Sequence, residues 1–150
     1  MTRLLTGEEL TGHVRDAAPE AVEDWNDRDV LIRSDFVVDV CSYLKETAGL
    51  EFNYLNAISA VDYVEYFEVV YHLTSMVHNQ SATLKTRVYS REEASVPSVV
   101  GVWRGADLQE REIWDLMGIQ FTGHHNLKRV LLWEGFPGHP LRRDFLEQIR

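Results

Sequence analysis

The sequence predicts an α/β fold of the α+β kind: an antiparallel β-sheet with helices packed on one face, in the order roughly α-β-α-β-β-β-α-α, followed by an extended C-terminal arm. Three observations carry this expectation. Three strand-like runs lie close together between residues 54 and 89, joined by connections short enough for hairpins. Stretches with apolar residues three and four apart flank them on both sides. From Gly123 onward, Gly123, Gly135, Gly138, Pro137 and Pro140 interrupt every regular period, yet this stretch carries Leu131, Leu132, Trp133, Phe136 and Phe145, apolar groups that need a surface to lie against. The expected division is a domain over 1–122 and a partner-binding arm over 123–150.

Thr6-Gly7-Glu8-Glu9 matches a capping box, and Leu10, Val14 and Ala17 continue at helical spacing until Pro19. Ala21 to Trp25 and Val30 to Arg33 are two short extended runs separated by the turn-prone Asn26-Asp27-Arg28-Asp29. Ser34 is placed to cap a second helix, whose stripe of Val37, Val40, Cys41, Leu44 and Ala48 ends at Gly49. Cys41 lies on that stripe, which predicts a buried, unreactive thiol. Tyr54 to Val61 is apolar on both faces, as a central strand would be. In Tyr66 to Met76, Phe67, Val69, Tyr71 and Leu73 alternate with Glu68, His72 and Thr74; in Ala82 to Tyr89, Leu84, Thr86 and Val88 alternate with Lys85 and Arg87. His72 and His78 are expected at the surface. Ser95 to Trp103 is expected to be a short helix with Pro97 in its first turn. Asp107 as N-cap and Gly118 as stop bound a final helix over Leu108 to Met117, with Ala106, Glu110, Ile113, Trp114 and Met117 along one side. Glu110 has two open accounts here, the reciprocal half of a capping box or a carboxylate held by an Arg at an interface.

At 150 residues, 45% hydrophobic and 11% aromatic, the chain has the makings of one domain with a core. A formal charge of -9 argues against general nucleic-acid binding, which rests on a surplus of cations. The stretch between Gly123 and Arg143 departs from that balance, since Lys128, Arg129, Arg142 and Arg143 face only Glu134 there. One cysteine excludes an internal disulfide framework and an iron-sulphur cluster held by this chain alone, and it fits a reducing cytoplasmic setting. No apolar run approaches the roughly 20 residues of a spanning helix, and the N-terminus lacks a signal-peptide pattern, so any place at a membrane is expected to come through other proteins.

The chemistry-bearing residue types form no catalytic pattern. Arg111 and Asp115 are four apart and Glu112 and Asp115 three apart, a spacing that fits surface ion pairing better than acid-base catalysis. His124, His125 and His139 invite a zinc reading, but adjacent histidines on a strand point to opposite faces and nothing at close spacing completes a tetrahedral set. Phosphate loops of the GxGxxG or GxxxxGK type, a GxSxG elbow and a Cys-His pair near Cys41 are absent. No catalytic, cofactor-binding or metal-binding residue is predicted.

The run Glu110 to Ile119, followed by Phe121, Gly123-His124, Leu127, Arg129 and Leu131-Leu132, resembles the signature of the 30 kDa subunit family of respiratory complex I, which includes the C subunit of the bacterial proton-pumping NADH:quinone oxidoreductases (NDH-1). Gly138 to Phe145 resembles the family's second block, and His125 stands where the family commonly has Pro. The resemblance implies an α/β domain in a noncatalytic subunit of the hydrophilic arm. Its neighbours would be the quinone-site D subunit (49 kDa type) and the cluster-bearing B subunit, with iron-sulphur clusters, FMN and quinone held by partner subunits. Such a chain is peripheral, on the cytoplasmic side of the membrane. On this expectation Glu110, Arg111, Glu112 and Asp115 fix the helix to the tail or to the D subunit; Arg129, His139, Arg142 and Arg143 pair with acidic groups on neighbours; and Leu132, Trp133, Phe136 and Phe145 are apolar anchors. The alternatives are the equivalent subunit of a membrane-bound hydrogenase or photosynthetic complex, a stand-alone enzyme using His124, His125 and His139 on a metal, and a binding module whose tail folds back on its own sheet. Removing the residues after Gly123 is expected to abolish partner binding and leave the body folded.

Overall fold

A computed structural model describes residues 1–148 of the chain; residues 149 and 150, the end of the expected arm, lie outside it. The capping box forms as its spacing predicts, with the Glu9 N–H donating to Thr6 Oγ1 at 3.1 Å and the Thr6 N–H to Glu9 Oε1 at 3.3 Å. It starts helix α1 (Gly7–Ala17), which follows the two-residue strand β1 (Arg3–Leu4). Strands β2 (Val22–Trp25) and β3 (Val30–Ile32) form an antiparallel pair across the Asn26 to Asp29 turn, where Asn26 Oδ1 accepts the N–H groups of Arg28 and Asp29.

Ser34 does not cap the second helix. Ser34–Phe36 form a 3-10 turn, and α2 (Val37–Glu46) begins after it with no side-chain cap. The helix ends before Ala48, which is exposed, and the chain reverses through Gly49 at φ +90°. Val37, Val40, Cys41 and Leu44 all face the core, and burial raises the Cys41 thiol pKa, aided by the charge of Glu110.

The expected meander is present: β4 (Tyr54–Asp62), β5 (Phe67–Ser75) and β6 (Gln80–Val88) run antiparallel in that spatial order. The sheet as a whole is mixed. Its order is β2-β3-β6-β5-β4, and both β1 and β3 pair parallel with β6, at Gln80–Ser81 and Leu84–Thr86, so they share the edge of β6 that β5 leaves open. The α2 crossover between β3 and the meander makes the parallel pairing possible. Strand β4 is therefore an edge strand and not the central one that its composition implies. A register shift between Leu55 and Ala57 turns Leu55 and Ile58 inward together, which explains apolar residues in both alternation classes.

One face of the sheet carries Val30, Ile32, Phe67, Val69, Tyr71, Leu73, Leu84 and Val88 into a single core with Leu10 and Val14 of α1 and the stripe of α2. Each such side chain contributes about 1.5–3 kcal/mol on leaving water. The other face is charged, with Glu68 of β5 bonded across to Lys85 and Arg87 of β6 at 3.5 and 3.2 Å. His72 and His78 are both exposed as expected, and His78 Nε2 lies 3.0 Å from Glu51 Oε1.

The predicted helix over Ser95 to Trp103 is absent. Ser95–Pro97 form strand β7, paired parallel with β8 (Gln120–Thr122), and the chain then turns through residues 98 to 105. Val96 and Val99 are fully buried, a use of β-branched residues that favours extended chain over helix. Helix α3 (Ala106–Met117) lies between these strands in sequence and packs beside β4, where Gln109 Oε1 accepts the Ile58 N–H at 2.6 Å and covers part of the sheet edge. Among the described residues no helix is long and apolar enough to cross a membrane.

Candidate partner-binding site

Helix α3 starts at Gly105 without a side-chain cap. Asp107 is not the N-cap; its carboxylate faces the two histidines after β8, His124 Nε2 at 3.1 Å and His125 Nε2 at 3.6 Å. The chain turns at Gly123, φ +88°, so these histidines are not on opposite faces of a strand, and their rings stack 5.1 Å apart. His124 accepts the Asn126 N–H at Nδ1 and donates from Nε2 to the Asp107 carbonyl. Among the described residues no group of three or more His, Cys, Asp or Glu is arranged to hold a metal.

Glu110 follows neither sequence account. It is fully buried, accepting from Ser98 Oγ at 2.5 Å and from the Val99 N–H at 2.9 Å, so it ties α3 to the turn after β7. Burial raises its pKa, and the Ser98 and Val99 bonds oppose that rise.

Asp115 is the centre of the site and is also fully buried, not a surface partner of Arg111. Its Oδ2 accepts the consecutive N–H groups of Val130, Leu131 and Leu132 at 3.1, 2.7 and 3.0 Å, and its Oδ1 receives Arg129 Nη1 at 2.7 Å. Burial alone would raise its pKa, but the bonds from Leu132, Arg129, Leu131 and Val130 prevail and lower it to about 2. Arg129 also donates to the carbonyls of Phe136 and Gly138 and lies over the rings of Trp114 and Phe136. Arg111 donates to the carbonyls of Lys128 and Arg129 at 3.3 Å. One carboxylate and two guanidiniums thus shape an irregular segment that has no ladder of its own.

Gly118 ends α3 in the left-handed region at φ +75°, and a Cβ there would lie 2.7 Å from His139 Cδ2. His139 Nδ1 donates to the Asp115 carbonyl at 2.9 Å, and its ring packs edge-on to Trp114. Further along, Arg142 is buried: it grips Asp144 with two bonds and donates to the Arg91 and Met117 carbonyls.

A further buried carboxylate, Asp62 at the end of β4, carries no catalytic or contact pattern in the sequence. It accepts two bonds from Arg91 at 2.8 and 2.7 Å, the Val64 N–H at 2.8 Å and the Arg143 N–H at 2.9 Å. The Arg91 guanidinium leads these in holding its pKa well below the usual carboxylate range. An Asp that accepts the N–H two residues on is a local turn signal that was legible; the Arg91 and Arg143 contacts, 29 and 81 residues away, were not.

The expected contact residues therefore divide. Glu110, Asp115, Arg129, His139 and Arg142 have internal partners, because each sits where α3 or the tail would otherwise bury an unpaired backbone or charged group. Glu112, Trp133 and Arg143 are exposed, and Leu132, Phe136 and Phe145 are half-buried, with Phe136 packed against both Trp133 and Phe145. Leu131, Trp133 and Leu141, at 59%, 67% and 59% exposed, leave an apolar surface on the outside of the segment.

The family described as respiratory-chain NADH dehydrogenase, 30 Kd subunit, matches residues 30–149. The NADH-quinone oxidoreductase C 2 subunit of Rhizobium etli (strain CIAT 652) is 46% identical over 112 residues, 73% of this chain and 59% of that protein, so the match spans less than two thirds of that relative. The NADH-quinone oxidoreductase C subunit of Roseiflexus sp. (strain RS-1) is 41% identical over 140 residues, covering 91% of this chain and 80% of that one. A chain in the solved structure of the membrane-bound sulfane sulfur reductase, an archaeal respiratory membrane complex, superposes with a TM-score of 0.73 at 28% identity, over 93% of this chain and 85% of the other. With the match extending across the sheet, α3 and the tail, the chain belongs to the 30 Kd subunit family of respiratory-chain NADH dehydrogenase.

Proposed function

We propose that this chain is a noncatalytic peripheral subunit of an NADH:quinone oxidoreductase, the complex that couples electron transfer from NADH to quinone with proton translocation. Its work is contact: it supports assembly and positions the quinone-site D subunit and the cluster-bearing B subunit, which with other partners hold the iron-sulphur clusters, FMN and quinone. Its place is peripheral, on the cytoplasmic side of the membrane, reached through the complex.

The observation that carries this reading is the set of exposed apolar side chains on the tail, Leu131, Trp133 and Leu141, on a backbone held by Asp115 and Arg129 and, at Leu141, by the Leu116 carbonyl. A segment so firmly bonded yet so apolar outside has the character of a preorganised interface. A second reading, the equivalent subunit of another respiratory membrane complex with a different electron carrier, is favoured by the likeness to the archaeal sulfane sulfur reductase chain.

Affinity purification of the tagged full chain from its native host tests the proposal. The expected result is recovery with cluster-bearing subunits, reduced about tenfold or more by Leu131→Ala with Trp133→Ala, since truncating two apolar anchors commonly costs more than about 1.4 kcal/mol of binding. Recovery as a stable free monomer would overturn it. The identity of the co-purifying subunits separates the two readings.

A further inference from the structure

Between α3 and the tail runs a groove of about 450 Å³, walled by Trp114, Leu127 and Leu132 and edged by Lys128, Arg129 and Glu134. Its floor is apolar and aromatic, and its rim differs from the rest of this acidic chain. Arg129 is neutralised by Asp115, but Arg111 makes its bonds to carbonyl oxygens, and among the described residues neither Arg111 nor Lys128 is within ion-pair distance of a carboxylate. On the groove's lining, Lys128 thus stands without a carboxylate partner among the described residues, with Arg111 bonded to the carbonyls of two lining residues, against the single carboxylate of Glu134.

Resting on the interface reading above, we infer that this groove is a socket for one short segment of a neighbouring subunit: a large apolar side chain seated between Trp114 and Leu132, with an Asp or Glu within about three residues of it to meet Lys128. The apolar part supplies burial, and the charge selects partner and orientation. The socket is prebuilt, because Leu132 is fixed through its N–H by Asp115 and Trp114 by the Arg129 and His139 contacts. Leu131 and Trp133, exposed beside Leu132 in sequence, widen the contact.

The test uses the full chain in its native complex. A photoreactive p-benzoylphenylalanine replaces Glu134, exposed at the mouth of the groove, and as a control replaces Trp25 on β2. The expected result is crosslinking from position 134 to one stretch of another subunit that contains a large apolar residue and a nearby carboxylate, with no such product from position 25. Lys128→Glu should lower recovery of the chain in the complex about tenfold, and changing the identified carboxylate to Lys should restore it. A crosslink to a second copy of this chain, a crosslinked stretch without an acidic residue, or wild-type recovery of Lys128→Glu would overturn the socket while leaving the reading as a complex component intact. Failure of the wild-type chain to enter any complex would overturn both.

Discussion

Asp115 and Glu110 lie five positions apart on one helix, both fully buried, and their protonation acts on stability with opposite sign. The folded-state pKa of Asp115 is lowered from 3.8 to about 2, so its ionised form favours folding; that contribution is complete above about pH 4 and is lost as pH falls towards 2. The pKa of Glu110 is raised from 4.5, so its protonated form favours folding and it subtracts stability as pH rises above 4.5. Urea unfolding across pH 2–8 checks this pair. Asp115→Asn should lose about 3–5 kcal/mol at pH 7, because the half-buried Arg129 is left without its counter-charge, and the deficit should shrink below pH 4. Glu110→Gln should flatten the profile above pH 4.5. An Asp115→Asn protein as stable as wild type at pH 7 would contradict the role given to this carboxylate.

The side chains of helix α3 are legible in the sequence only on the apolar face it buries. Its existence, its stop at Gly118 and its inward row of Ala106, Ile113 and Met117 were all legible from spacing. The partners of its acidic residues were not, because an i, i+4 pattern describes only the helix's own surface, whereas Asp115 bonds residues 14 to 17 positions away and Glu110 bonds a turn that precedes the helix. The same limit explains β7: local propensity ranks Ser95 to Trp103 without knowing that Phe121 lies alongside Val96. Gly118→Ala is the sharpest test of how this element ends. The substitution combines a left-handed φ with a Cβ placed 2.7 Å from the His139 ring and should cost about 1–3 kcal/mol. A melting temperature lowered by about 2–12 °C is expected, accompanied by a shifted His139 ring resonance; an unchanged melt would mean that the tail gives way without loss.

For the molecule as a whole, the meander and the helices on one face were readable because two-residue and helical periods are strong in this chain. The parallel pairings on β6 were not, since they depend on which edge the α2 crossover returns to. Nor was the inward bonding of the tail. An expectation that residues before Gly123 fold alone changes in view of it: removing residues 124–150 would strip Asp115 of every partner named above, and Asp62 of the Arg143 N–H. Such a truncated chain should be less stable by about 3–5 kcal/mol, as chemical denaturation would show, and equal stability would restore the simpler view. The bond between Asp62 and the Arg143 N–H spans 81 positions of sequence. At a synthesis rate of about 5–20 residues per second, Asp62 precedes that partner by about 4–16 s. The hairpin between β4 and β5 therefore leaves the ribosome with its Arg91 and Arg143 bonds still unmade, the Arg143 bond last. Closure of this site is timed by the tail, so the surface proposed for assembly closes after the sheet it rests on.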